Sequence, residues 1–117
     1  MSARKDMQEV TFSLPAASGS YSAERITFGE VISGQAKESY QGITVLVVTS
    51  VATMTVELWL PKVSADHPFI DGDYTYTGKS IGATGGETWA LAGYPGAQIR
   101  VKSGGTAGSP VISATVF

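Results

Sequence analysis

Cysteine is missing from this chain, which excludes a disulfide framework, a thiolate metal site and a cysteine nucleophile together. Histidine occurs once, as His67, so a multi-histidine metal centre is impossible. A Ser-His-Asp triad would have to recruit that residue, which precedes Pro68 in a loop, and no serine sits in a nucleophile-elbow sequence. Charge is also scarce: 15% of residues are charged, the formal net charge is -2, and the eight Lys and Arg are scattered. That pattern leaves no electrostatic footprint for nucleic acid. No stretch approaches the roughly 18 apolar residues of a membrane span, and residues 1–10 lack the apolar core of a signal peptide. These absences predict a soluble protein made in the cytoplasm, without nucleic-acid or membrane partners.

What is present is a strand-forming pattern. With 117 residues, 43% of them hydrophobic, the chain can bury one core as one domain without a metal or disulfide staple. Residues 8–14 alternate, with Val10, Phe12 and Leu14 inward, and stop at Pro15. Residues 25–32 place Ile26 and Phe28 on one face. The β-branched run 43–48 reads as a central strand covered on both sides. Residues 53–60 set Met54, Val56, Leu58 and Leu60 against Thr53, Thr55, Glu57 and Trp59. Further strands are expected at 73–77, where Tyr74 and Tyr76 share a face, and at 87–92.

The last 25 residues hold two alternating runs, 97–102 and 111–117, around the loop 103–110, and read as a terminal β-hairpin. Ile99 and Val101 fall on its inner face, with Gln98, Arg100 and Lys102 on a wet one. Phe117 is expected to pack inside and tie down the chain end. Seven or eight short strands with regular turn signals predict an all-β, single-domain antiparallel β-sandwich, jelly-roll-like, with an immunoglobulin-like sandwich as the competitor. The domain is assigned to residues 8–117. Residues 1–7, with little to bury, form a short flexible N-terminal arm.

Several motifs fail a test of spacing. Thr77-Gly78-Lys79-Ser80 ends like a phosphate-binding loop, but Asp73 stands where that motif needs glycine and a glycine-rich run replaces the following helix. Asp66, Asp71 and Asp73 lack the calcium-loop spacing and fit ordinary turn chemistry. Two carboxylates on one short loop cannot flank a glycosidic bond, and nothing singles out a pair involving Glu57 or Glu87. The sequence thus predicts no enzyme, no cofactor and no metal.

The aromatics carry the functional signal. Trp59 lies opposite an apolar row, so it points away from the core, where a Trp makes a candidate contact. Tyr74, Tyr76, Trp89 and Tyr94 are candidates for a sugar-stacking platform. Two classes of function follow: a structural protein that binds copies of itself or a larger lattice, and a carbohydrate-binding module.

The segments Trp89-Ala90-Leu91-Ala92-Gly93-Tyr94-Pro95-Gly96-Ala97 and Ile99-Arg100-Val101-Lys102-Ser103-Gly104-Gly105-Thr106-Ala107-Gly108, within a cysteine-free all-β chain that has a polar N-terminal arm, resemble the decoration (cement) proteins of tailed bacteriophage heads. This resemblance implies a virion protein, synthesised in the host cytoplasm, that sits on the capsid exterior and clamps adjoining major capsid protein subunits. It also implies a homo-oligomer, a dimer or trimer. Phage tail or fibre β-modules share the composition and stay open as an alternative, as does the sugar binder. The contact residues expected on this reading are Arg4 and Lys5 in the arm, Trp59 as a hydrophobic anchor, and Val63 and Phe69 in a second arm-like element spanning residues 63–70.

Overall fold

A computed structural model describes residues 7–28, 31–32, 35–36, 40–61, 74–91 and 97–117. The described chain is all-β, with ten strands: β1 (Met7–Thr11), β2 (Ile26–Phe28), β3 (Val31–Ile32), β4 (Gln35–Ala36), β5 (Gly42–Thr49), β6 (Thr55–Pro61), β7 (Tyr74–Ile81), β8 (Gly86–Ala90), β9 (Ala97–Lys102) and β10 (Val111–Val116). Two four-stranded sheets run in the orders β1-β10-β5-β8 and β2-β9-β6-β7, and every pairing is antiparallel. A two-stranded ladder, β3-β4, stands apart.

Setting that ladder aside, the outermost pairings are nested: the first long strand pairs with the last, the second with the next to last, and so on to β6 with β7. Nesting of this kind, rolled into two sheets, is the jelly roll. Its strand order excludes the immunoglobulin alternative.

Period-two alternation builds the core. Ile99 and Val101 of β9, Val56 and Leu58 of β6, and Ile26 and Phe28 of β2 face Ile112, Ala114 and Val116 of β10 and Ile43 and Val45 of β5 across one buried cluster. Phe12 and Leu14 extend it beyond β1, tied by Phe12 N–H to Pro110 O at 2.8 Å and Leu14 N–H to Gly108 O at 2.9 Å. Each large apolar side chain so enclosed contributes about 1.5–3 kcal/mol.

Three expectations need correction. The terminal runs do not form a hairpin: β9 pairs with β2 and β6, whereas β10 pairs with β1 and β5. The loop between them is longer than the usual two to five residues of a hairpin, and it crosses from one sheet to the other. Crossing lets the two apolar faces oppose each other over the core. Second, β5 is an inner strand but not covered on both sides, because Leu46 and Val48 are 53% and 50% exposed on its outer face. Third, Phe117 is 56% exposed. With Ile112, Ala114 and Val116 inward, the next odd position must fall outside. Its backbone is nevertheless held, since Phe117 N–H donates to Gly42 O at 3.0 Å and Gln41 N–H to Phe117 O at 2.6 Å.

Glycine geometry explains two local features. Gly78 adopts φ +83 inside a bulge, where the β6–β7 register slips between Glu57 and Trp59. Only glycine takes that conformation without strain. Thr77-Gly78-Lys79-Ser80 is therefore a kinked strand and not a phosphate loop. At one end of the sandwich Thr53 itself has φ 65, and a Cβ built on Gly104 would sit 1.9 Å from Thr53 O, so the 103–110 loop and the β5–β6 turn are in backbone contact.

Candidate functional site

The outer face of the β2-β9-β6-β7 sheet concentrates the polar and aromatic side chains. Register determines which of them meet. Thr27 pairs with Gln98, Gln98 with Trp59, and Trp59 with Tyr76, giving one row across four strands. In the next row Arg100 pairs with Glu57 and Glu57 with Ser80. The pairing of Ile26 with Ile99 carries Arg25, one residue before β2, to the position beside Arg100. In a third row an isolated bridge sets Tyr21 against Lys102, and Lys102 pairs with Thr55.

Glu57 is the centre of the group. It is 1% exposed although it faces away from the apolar core, because neighbouring side chains close over it. The Tyr21 hydroxyl donates to its Oε1 at 2.6 Å, Trp59 Nε1 donates to the same oxygen at 3.2 Å, and Lys102 Nζ lies 3.4 Å from Oε2. A buried carboxylate is tolerable only when paired and hydrogen-bonded in this way. Tyr21 responds to the same arrangement: burial, then the hydrogen bond and the negative charge of Glu57, push its phenol up to about 12.

Trp59 is half-buried and packed from both sides of its strand. From β9, the Arg100 guanidinium carbon sits 3.9 Å from the ring centroid. From β7, Tyr76 lies 5.6 Å away at 33°, and Tyr21 meets the indole edge-on at 6.0 Å and 84°. Arg100 Nε donates to Gln98 Oε1 at 2.5 Å, and Gln98 Nε2 donates to Thr27 Oγ1 at 3.3 Å. Burial lowers the pKa of Arg100, and the charge of Arg25 lowers it further. Chemically the cluster offers cations, aromatic rims and fixed hydrogen-bond donors. Among the described residues its only carboxylate, Glu57, is already engaged.

Of the contact residues expected from sequence, Trp59 stands in the middle of this cluster and points outward as anticipated. Arg4, Lys5, Val63 and Phe69 lie outside the described residues, as do Asp66, His67, Asp71, Asp73 and Tyr94. Tyr74 and Tyr76 are on the same strand and alternate as expected, but Trp89 is buried in the core on the other sheet, so the proposed four-ring platform does not assemble. Glu57 and Glu87 belong to different sheets and cannot act as a facing pair. Sequence reasoning missed Tyr21, Arg25, Gln98, Arg100 and Lys102. The last three were read as a wet face, yet Gln98 is 5% exposed. The signal available was the coincidence of Trp59 and Glu57 on one face with an Arg-Val-Lys alternation elsewhere. Among the described residues no group of three or more His, Cys, Asp or Glu is arranged to hold a metal.

No protein-family model and no curated protein matches the chain. Solved structures do. PirA superposes with a TM-score of 0.58 at 9% identity, covering 99% of this chain and 97% of its own. PliG of Aeromonas hydrophila, a periplasmic lysozyme inhibitor of g-type lysozyme, gives 0.50 at 11% identity, covering 95% and 82%. The SPBc2 prophage-derived protein YomS gives 0.46 at 18% identity, covering 96% and 94%. At such identities the first two likenesses establish a shared fold and nothing about ligands.

Proposed function

We propose that this chain is a non-enzymatic structural protein of a bacteriophage virion, a decoration protein that binds the outer surface of the head and holds major capsid subunits together. The observation that carries the binding reading is the Tyr21–Trp59–Tyr76–Arg100 cluster. Trp, Tyr and Arg dominate interface hot spots because they combine large apolar area with a directed polar group. Here they are pre-packed in the centre of a sheet face, so little side-chain freedom remains to be lost on docking. The phage-head assignment itself rests on the sequence resemblance. Repetition over a lattice turns a modest contact into strong attachment through effective concentration, so no chemically unusual site is needed. On this reading the protein has no cofactor and acts as a dimer or trimer.

Co-sedimentation with purified phage heads that lack the protein tests the assignment, with a glycan array run in parallel. Binding to heads that falls at least tenfold in Trp59→Ala, without glycan retention, supports it. Retention on glycans with no binding to heads would favour the carbohydrate-binding module.

A further inference from the structure

Arg100 is held as if awaiting a partner. Its guanidinium carbon lies over the Trp59 ring, 3.9 Å from the centroid. One edge is fixed by the Nε hydrogen bond to Gln98, which Thr27 anchors in turn. The neighbouring carboxylate, Glu57, is taken up by Lys102, Tyr21 and Trp59. Among the described residues no ion pair neutralises Arg100 or Arg25, and the strand register sets these two like charges side by side. Like charges directly opposite in a sheet are destabilising. Burial first, and then this repulsion from Arg25, lower the pKa of Arg100. An anion between the two guanidinium groups would relieve it.

We propose that the free edge of the Arg100 fork, with Arg25 beside it, is a binding site for an Asp or Glu side chain of a protein partner. A planar guanidinium presents paired donors that match a carboxylate, and one that is already stacked and hydrogen-bonded gives up little freedom on binding it. The surroundings favour a protein over a saccharide, because the Arg100 guanidinium already lies over the Trp59 ring where a sugar would stack. Tyr21 and Tyr76, each 37% exposed, frame the site as the rim of a protein interface. The inference rests on the interaction-protein reading above and names the chemistry of the partner's contact.

The two tryptophans make the test internally controlled, since Trp59 borders the site and Trp89 is buried between the sheets. The full-length chain, labelled with 15N, is titrated by NMR with the peptide acetyl-Asp-Glu-Asp-Glu-amide. Its amide counterpart acetyl-Asn-Gln-Asn-Gln-amide, inorganic phosphate and a galacturonic acid trimer form the other arms. The expected result is a saturable shift of the Arg100 Nε–H and Trp59 indole N–H signals with the acidic peptide alone, while the Trp89 indole signal stays fixed. Arg100→Lys, which keeps the charge and loses the fork, should weaken the response about tenfold with Trp89 unmoved. No shift at millimolar acidic peptide, or an equal affinity in Arg100→Lys, overturns the site. A stronger response to phosphate or to the saccharide overturns the protein partner. Because the peptide titration needs no capsid, a positive titration alongside failed co-sedimentation would discard the phage-head reading and keep the site.

Discussion

The Tyr21 hydroxyl donates to Glu57 Oε1 across 2.6 Å, joining a residue outside the regular strands to a carboxylate that the sheet face has sealed from water. The contact closes the outer layer over β6 and β9 and holds the Trp59 edge in place.

Replacing Glu57 should loosen that layer. Glu57→Gln removes the ion partner of Lys102 but keeps an acceptor for Tyr21, and is expected to cost about 1–2 kcal/mol. Glu57→Leu, which strips the acceptor from both Tyr21 and Trp59, should cost about 3 kcal/mol. Urea unfolding followed by Trp fluorescence measures both, and equal stability of the two variants would mean that the hydrogen bonds contribute nothing.

Alkaline titration gives an independent reading of the same contact. Tyr21 is raised from 10.0 to about 12 in the folded protein, so the folded state keeps its phenolic proton where the unfolded state loses it. Its contribution to stability is complete below pH 10 and declines as pH rises from there through about 12. Absorbance at the tyrosinate band should show one tyrosine titrating late, and in Glu57→Gln that transition should move toward 10 as the negative charge disappears.

Trp59→Ala is expected to destabilise the fold by roughly 1–3 kcal/mol through loss of the Tyr76, Tyr21 and Arg100 contacts, and to abolish most partner binding. A variant as stable as the parent that binds equally well would remove Trp59 from both roles.

Backbone contact between the loops at one end of the sandwich predicts a sharp contrast between glycines. Gly104→Ala would drive its Cβ to 1.9 Å from Thr53 O, and the forced separation of the two loops should cost at least about 2 kcal/mol. Gly82→Ala, with nothing within 4 Å of the new Cβ, should change stability by less than about 1 kcal/mol. Thermal denaturation of the pair decides it.

Removing residues 1–6 leaves β1 whole, since its pairing starts with Met7 opposite Thr115. The truncated chain should keep the parental melting temperature while attaching less well to phage heads. Undiminished attachment would eliminate Arg4 and Lys5 as contacts.

Much of the fold is readable in the sequence. Alternation placed Ile26, Phe28, Val56, Leu58, Ile99 and Val101 on the inner side correctly, because a strand with one buried face must repeat every second residue. Which strands pair is a different kind of information. β9 and β10 are adjacent in sequence and belong to opposite sheets, and nothing local distinguishes a long hairpin loop from a crossing between sheets. The outer face was less legible still. Alternation puts Glu57 and Gln98 on the side away from the core, but their burial comes from Tyr21, Trp59 and Arg100 arriving from other segments. Leu46 and Val48 show the converse, an apolar run that long-range packing leaves uncovered. Trp59 was legible as an outward-facing side chain because it falls in step with Thr55 and Glu57, opposite the apolar row.

The nested strand order has a consequence for how the protein comes into being. β10 is an inner strand of its sheet, lying between β1 and β5. Until it is inserted, β1 has no neighbour and β5 has an open edge. The core-facing row Ile112, Ala114 and Val116 is missing as well. Assembly of that sheet therefore waits on β10, and closing it joins residues far apart in sequence, Met7 with Thr115, the kind of pairing that makes folding slow. Before β10 docks, the open edge of β5, a strand that carries the exposed Leu46 and Val48, is a site for capture by another chain.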